Sequence, residues 1–343
     1  MSSVIRPVDS EDQLTRELLR DLHRARPVLY RVDLAATATI GWLAFFFAIK
    51  LRPFSGGMVA SFAVAVVGLY RGLCFLHELS HQNSRTLPGF DGAWNLLIGY
   101  PLLLPSFVYA GVHQYHHSPG TYGTSGDPEY LPFARSSRMT TVFALQSILI
   151  PIALAIRFLL LSWVGLFWER FQTWLVIHAS ALTMNPDYRR LATPQLTRRV
   201  RRHSLFILIY WALPVALATT KIIPWRSFVV WFGVSACISF LNTLRTLGAH
   251  GYESDGEPLD RAGQLADSID TPGALWTELW APVGLRYHAL HHYFPGIPYH
   301  NLRRAWVRLA AGLPEDAGYH RVRSPGLAHS LRTLYRKGRR KRG

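Results

Sequence analysis

Residues 58–81 read MVASFAVAVVGLYRGLCFLHELSH, and they decide the fold. The apolar part, about 58–76, approaches the roughly 20 residues that a helix needs to cross a bilayer. His77 and His81 follow directly, and their i, i+4 spacing puts both imidazoles on one face of a helix. The stretch therefore predicts a membrane span that carries metal-binding side chains just past one end.

Apolar runs of similar length recur along the chain, which has 343 residues, 49% of them hydrophobic. The three clearest lie at about 33–51, 204–220 and 226–247. A further run, about 139–162, is long enough to span but has Arg157 in its interior. The segment 93–110 is apolar but contains Pro101 and Pro105, which suit a simple transmembrane helix poorly.

The formal net charge is +16, and the basic residues lie between and beyond the apolar runs. They concentrate in Arg16 to Arg31, in Arg189 to His203, and from Arg303 to the basic C-terminal tail. Because they do not alternate with aromatic residues on one face, nucleic-acid binding is disfavoured. An excess of Lys and Arg outside the spans is typical of the cytoplasmic side of membrane proteins.

Nine of the fifteen histidines fall in four places: HELSH at 77–81, HQYHH at 113–117, HALHH at 288–292, and the lone His250. Neutral imidazole binds zinc, copper, iron and nickel. Eight imidazoles in three clusters are too many for one ion and about right for two. The clustered candidates for metal binding are His77, His81, His113, His116, His117, His288, His291 and His292, and His250 stands alone.

If these histidines share metal ions, all four places must lie on one side of the membrane. The basic N-terminus and the arginine-rich stretch before the third span predict that this side is the cytoplasm. An even number of crossings must then separate His117 from His250. The run 139–162 is therefore predicted to lie at the interface, followed by a second amphipathic stretch, 163–184; a hairpin of these two stretches is the alternative. The segment 93–110 is expected to dip into the membrane or to lie on its surface.

The predicted fold is an all-α integral membrane protein. Four transmembrane helices form two hairpins, and interfacial helices and a cytoplasmic histidine-rich cap complete the molecule. One domain, 1–343, is the economical interpretation, with a cytoplasmic N-terminal segment, 1–31, and a basic tail, 330–343. The expected location is a bacterial inner membrane with the metal site facing the cytoplasm.

The three boxes resemble the histidine boxes of the membrane fatty acid desaturase and hydroxylase superfamily. Residues 287–298, YHALHHYFPGIP, are similar to the third-box ending of acyl-lipid and sphingolipid desaturases, and residues 244–250, LRTLGAH, to the segment that carries the extra histidine. The resemblance covers roughly residues 35 to 302. It implies two non-heme irons held by the nine histidines, dioxygen as co-substrate, and attack on an unactivated C–H bond of a lipid. Thr246 is a departure, because stearoyl-type desaturases have Asn at this position.

Two acidic residues after the second box, Asp127 and Glu129, could orient imidazole N–H groups as hydrogen-bond acceptors. A solvated turn is the alternative. No dinucleotide fingerprint, ferredoxin-like cysteine segment or fused heme domain is found, so no further cofactor site is predicted. We assign no catalytic residue beyond the metal ligands, and we expect electrons from a separate ferredoxin or b-type cytochrome with its reductase.

Oxygen-dependent desaturation of a lipid acyl chain is the first interpretation. Hydroxylation or ketolation of a fatty acyl, carotenoid or alkane substrate is the alternative, because the same iron site can do either. The first box also fits the H-E-x-x-H pattern of zinc proteases, in which the glutamate is a general base. An intramembrane zinc protease needs three ligands and would leave six clustered histidines without a role, so we do not assign Glu78 as a base. A transporter that uses histidines as a proton path is a further class.

Overall fold

The computed structural model describes residues 7–82 and 85–340, so the first six residues of the predicted N-terminal segment and the last three of the basic tail lie outside it. Within these ranges the chain forms helices and isolated bridges, such as His250 to Ser268, but no β-strand. The α-helices are α1 Pro7–Leu19, α2 Pro27–Lys50, α3 Gly56–His81, α4 Phe90–Trp94, α5 His113–His116, α6 Ser137–Gln146, α7 Ile150–Ala155, α8 Leu161–Phe167, α9 Glu169–His178, α10 Pro194–Thr219, α11 Arg226–Leu247, α12 Arg261–Asp267, α13 His288–Tyr293, α14 Tyr299–Gly312 and α15 Leu327–Arg340.

The four predicted spans coincide with the four long helices α2, α3, α10 and α11. Local chemistry fixes where they begin. Pro27 and Pro194 occupy the first turns of α2 and α10. Backbone N–H groups in a first turn have no acceptor within the helix, so proline, which has no N–H, costs no hydrogen bond there. The hydroxyls of Ser55 and Thr193 each accept a hydrogen bond from the backbone N–H group three residues later and so cap α3 and α10.

Helices α2 and α3 form a closely packed hairpin. A Cβ atom built on Gly68 would lie 3.0 Å from the Cα atom of Gly41, and small residues let helices approach in this way within membranes. Nearer the first box, Arg71 forms a 2.6 Å ion pair with Asp33. The hairpin therefore holds the box helix firmly against its neighbour.

The segment 90–110 enters the helix bundle and returns, which is one of the two predicted arrangements. Helix α4 runs into a π-helical turn, Asn95–Gly99, and an irregular bend follows. Three indole N–H groups from surrounding spans donate to its carbonyl oxygens: Trp42 to Leu97 at 2.7 Å, Trp211 to Tyr100 at 2.9 Å and Trp231 to Pro101 at 2.9 Å. Irregular backbone is tolerated at membrane depth only where protein satisfies its polar groups. The bend therefore returns the chain to the end of the bundle where the histidines meet, which we call the histidine end.

The run with Arg157 in its interior forms a broken helix. Helices α6, α7 and α8 join through a 3₁₀ turn and a π turn into the stretch Ser137–Phe167, which is the fifth helix in the described residues long and apolar enough to cross a membrane. Arg157 is buried and donates from Nε to the carbonyl oxygen of Ala179, at 2.6 Å. Its charge therefore faces protein rather than lipid.

Both ends of this broken helix lie toward the histidine end. At its start, Ser137 packs against Gly338 of α15. Near its finish, the Leu166 carbonyl accepts a 2.7 Å hydrogen bond from Arg201, about two turns from the beginning of α10. These positions of its two ends are compatible with four membrane crossings, those of α2, α3, α10 and α11.

Two smaller apolar cores lie at the histidine end, beside the main core of the helix bundle. One joins α1, α13 and α14 through residues such as Leu19, Leu290 and Leu309. The other joins the loop after the second box to α15 through Tyr122, Tyr252 and neighbouring side chains. The predicted all-helical membrane fold with a histidine-rich cluster is confirmed, whereas the single-domain interpretation stays a prediction.

Candidate metal centre

The first box occupies the last turns of α3, which continues without a break to His81. The helix is buried from Leu73 to Glu78, so packing fixes its rotation. Since His77 and His81 lie one turn apart, both imidazoles face the centre of the histidine end.

The second box forms α5, a single helical turn, and His117 directly follows it. The third box forms α13, which Asp270 holds in place by accepting hydrogen bonds from Leu290 N at 3.1 Å and Tyr319 Oη at 2.6 Å. His250 lies just beyond α11, in a bridge with Ser268.

The structure brings all nine predicted ligands together, in two groups. The five-histidine group contains His77, His81, His113, His117 and His291, and the four-histidine group contains His116, His250, His288 and His292. Within each group the potential donor atoms all lie within 4.8 Å of one another. The groups adjoin, because the rings of His117 and His292 stack with 4.2 Å between their centroids. The second and third boxes therefore contribute to both groups.

The Nε2 atoms of each group converge. In the five-histidine group the Nε2 to Nε2 distances are 2.9 Å for His113–His117, 3.0 Å for His81–His291 and 3.2 Å for His117–His291. In the four-histidine group they are 2.8 Å for His250–His288, 3.2 Å for His288–His292 and 3.4 Å for His116–His250. Nitrogens that share an ion at about 2.1 Å lie roughly 3.0–3.4 Å apart. His77 Nε2 is buried without a hydrogen-bond partner in the described residues, so the donor set fits one ion in each group.

Burial keeps most of these imidazoles neutral, which is the form that offers a lone pair to a metal. Burial, reinforced by neighbouring histidines, holds the pKa well below its ordinary value for His113, His117, His250, His288, His291 and His292. His116 differs: burial lowers its pKa, but the carboxylates of Asp127, Glu129 and Asp267 together more than offset this and leave the pKa raised.

The two acidic residues after the second box both bind imidazole nitrogens, one in each group. Asp127 is fully buried, and its carboxylate lies 3.0 Å from His116 Nδ1. Glu129 lies 2.8 Å from His113 Nδ1, and burial raises the pKa of Glu129 to about 7. These contacts fix which ring nitrogen faces outward and leave Nε2 for the centre. The geometry is that of the predicted acceptors rather than of a solvated turn.

Four further polar residues around the centre are not found by sequence reasoning. Tyr109 lies 2.8 Å from His113 Nδ1 and donates to Glu129 at 3.0 Å. Tyr122 lies 2.8 Å from His250 Nδ1 and donates to Asp267 at 2.9 Å, and Ser268 is also within 3.5 Å of that nitrogen. Only Tyr109 had a local signal, its position four residues before His113.

The sequence profile of the fatty acid desaturase family matches residues 54–323. This chain belongs to the fatty acid desaturase family. It is also similar to the ceramide hydroxylase of Caulobacter vibrioides (strain NA1000 / CB15N), with 36% identity over 338 residues, 97% of this chain and 96% of that protein. The predicted superfamily is thereby confirmed, and the chain is an oxidoreductase of a membrane-embedded, lipid-modifying family.

Glu78, the glutamate of the H-E-x-x-H pattern, has hydrogen-bond partners on two other helices of this desaturase family member. Its carboxylate accepts hydrogen bonds from the hydroxyl of Tyr30 and, at 3.1 Å, from the backbone N–H of Tyr299. It therefore ties α3 to α2 and to the start of α14. These contacts account for its burial without a role as a general base.

The remaining histidines of the described residues lie outside both groups: His23, His178, His203, His300, His320 and His329. Two of them have evident local roles. His203 lies 3.0 Å from the hydroxyl of Tyr100, and His300 Nε2 accepts from the backbone N–H of Arg26 at 3.2 Å.

A cavity of about 590 Å³ adjoins the centre of this desaturase family member, a size within the range of small-molecule sites. Its wall is largely apolar and comes from α3, α6, α11 and the loop after α9, while His77 and Glu129 line it from the centre. Thr246 also lines it, and its hydroxyl donates to the Asn242 carbonyl at 2.8 Å. Its described lining does not include the aromatic residues Trp42, Phe45, Phe46, Phe47, Trp231 and Phe232 of the spans.

Proposed function

We propose that this desaturase family member is a membrane oxygenase that hydroxylates a ceramide-type lipid at two irons held by the nine histidines. The observation that carries the proposal is the pair of all-histidine groups beside an apolar cavity. The ceramide hydroxylase that resembles the chain over nearly its whole length supports oxygen insertion. Desaturation, the first interpretation from sequence, has support only at the level of the family.

The proposed reaction places one oxygen atom of dioxygen into a C–H bond, and two electrons and two protons reduce the other atom to water. Two bound irons would supply the activation of dioxygen and the cleavage of the C–H bond. The protein would contribute position and environment. Asp127 and Glu129 hold the Nδ1 sides of His116 and His113, and the largely apolar wall of the cavity would disfavour water at the reacting carbon.

The electrons would come from a separate carrier, a ferredoxin or a b-type cytochrome with its reductase. Exposed arginines on α14 and α15 give the histidine end a basic surface: Arg303, Arg304, Arg332 and Arg336. Opposite charge steers association between proteins, so the surface favours an acidic carrier. A bacterial inner membrane, with the histidine end in the cytoplasm, remains the location that we propose.

Product analysis tests this function. The chain would be expressed in a host of defined lipid content that is supplied with ceramide and isotopically labelled dioxygen, and the lipids profiled by mass spectrometry. We expect a ceramide that gains one labelled oxygen. A product that has instead lost two hydrogens would identify a desaturase and overturn hydroxylation.

Two variants control the experiment. His250→Ala removes a member of the four-histidine group and should abolish the product. His178→Ala removes a histidine that stacks on Trp174 outside both groups and should retain it. One zinc per chain, with no oxidised lipid, would favour the protease alternative.

A further inference from the structure

A partly buried arginine lines the cavity next to the metal centre. Arg245 lies in the last turn of α11 and lines the cavity that His77 also lines. Its polar neighbours on α3 are Tyr70 and Cys74. A cation at this depth is expensive to bury without partners, so its contacts need an explanation.

The guanidinium of Arg245 has two polar side-chain partners, Asn242 and Tyr70, for its five N–H groups. Nη2 donates to Asn242 Oδ1 at 3.0 Å, and Nε is buried without a hydrogen-bond partner. Among the side chains described, those of residues 12–82 and 85–340, no carboxylate lies within 4.0 Å of the Arg245 guanidinium nitrogens. Two other partly buried arginines have more partners: Arg71 pairs with Asp33, and Arg190 donates to three backbone carbonyls. Arg245 therefore keeps N–H donors available on the cavity side.

The position of Arg245 relates these donors to the metal centre. Tyr70 and Cys74 precede His77 on α3 by about two turns and one turn, so the guanidinium lies roughly 5–10 Å below the level of His77. A lipid that reached from Arg245 to His77 would place its polar atoms at the guanidinium. These atoms would lie close along the lipid to the carbon that faces the histidines.

The charge of the cavity limits which polar group fits. Glu129 is the carboxylate among the described lining residues, and it is already bonded to His113 and Tyr109. Glu129 lies on the same wall as Arg245, so an anion in the cavity would meet a carboxylate as well as the guanidinium. An uncharged acceptor, such as an amide carbonyl or a hydroxyl, suits it better than a carboxylate or phosphate.

We propose that Arg245 binds the amide carbonyl or hydroxyl oxygens of the lipid and so directs oxidation to a carbon near the lipid's polar end. This rests on the proposed function and adds the part of the substrate that the cavity recognises. Arg245 is thus a positioning residue for the polar end of the substrate.

Binding and product position test the proposal. Purified protein in nanodiscs would be loaded with radiolabelled short-chain dihydroceramide, which is then displaced by unlabelled dihydroceramide, by the matching free fatty acid, or by an alkane of equal length. We expect dihydroceramide to compete at a concentration at least about tenfold lower than the other two, the factor that one hydrogen bond to a charged group provides. The new hydroxyl of the wild-type product should lie near the amide. Equal competition by all three, better competition by the free acid, or a hydroxyl in the middle of the chain would overturn the proposal.

Variants separate binding from folding. Arg245→Gln should weaken dihydroceramide binding about tenfold or more without changing the metal content, and Arg245→Lys should restore part of it. Arg52→Gln, at an exposed site in the loop between α2 and α3, is the control of equal charge and should bind as the wild type does. If Arg245→Gln does not fold, the wild-type competition and the Lys variant still decide. A wild-type protein that oxidises no lipid refutes the proposed function, whereas oxidation with unchanged binding in a folded Arg245→Gln refutes only the role of Arg245.

Discussion

Replacing Asp127 with Asn should weaken one metal site and leave the other. Asp127 is fully buried, and its carboxylate lies 3.0 Å from His116 Nδ1 while accepting from the backbone N–H groups of Gly123 at 3.1 Å and Glu129 at 2.8 Å. Asn keeps one acceptor oxygen but presents an NH₂ group where the second carboxylate oxygen was. Both carboxylate oxygens lie within 3.1 Å of His116 Nδ1, so the oxygen that Asn retains can still accept, but the NH₂ group faces the same Nδ1–H and weakens the anchor.

Partners of this kind typically contribute 10–100-fold to metal affinity, which is about 1.4–2.7 kcal/mol. His116 belongs to the four-histidine group, whereas the other acidic residue, Glu129, contacts His113 of the five-histidine group. We therefore expect Asp127→Asn and Glu129→Gln to weaken different ions.

The assay is metal content by mass spectrometry after dialysis against graded chelator, with far-ultraviolet circular dichroism to verify folding. Asp127→Asn should fall from about two ions per chain to about one at a chelator concentration that leaves the wild type loaded. Asp255→Asn, at an exposed loop position, should match the wild type. Simultaneous loss of both ions, or no loss from either acidic variant, would refute the reasoning.

Three further predictions concern packing, pH and the electron carrier. Trp231→Phe removes the hydrogen bond to Pro101 and should destabilise the protein by about 0.6–2 kcal/mol, measured by thermal unfolding in detergent; a change no larger than that of the exposed Trp225→Phe would contradict this. Burial raises the pKa of Asp270 from 3.8 to about 6, so the folded state holds this proton more tightly and the free energy of unfolding should fall as pH rises from about 4 to 6. Between pH 5 and 7 the free energy of unfolding should fall by about 1 kcal/mol. This fall should be missing from Asp270→Asn, and equal pH profiles for the variant and the wild type would contradict the prediction. Raising the salt concentration should slow turnover with an acidic carrier because salt screens the attraction between opposite charges. A rate independent of salt would contradict the role of the basic surface in carrier binding.

The spans and the ligand set were predictable because both have a local signal. Apolar length marks α2, α3, α10 and α11, and the i, i+3 and i+4 spacings mark the three boxes. The lone His250 came only from the resemblance to a family. The acidic residues after the second box were within reach because they follow it closely in sequence.

Other features depend on contacts between distant segments. Asp267 reaches His250 through Tyr122, which is 145 residues away from it, and neither residue has a periodic pattern that marks it. The sequence predicts that the segment around Pro101 either dips into the membrane or lies on its surface. Hydrogen bonds from tryptophans of three other helices select the first arrangement. The division of the nine histidines into five and four likewise depends on how α5 and α13 are rotated, which short helices do not encode locally.

The most direct measurement is the metal content of protein purified intact in a membrane mimic without oxygen. The two-group account predicts about two irons per wild-type chain, about one in either His81→Ala or His250→Ala, and about two in His178→Ala. Protein that is folded but iron-free, a single zinc, or full occupancy in both ligand variants would contradict it.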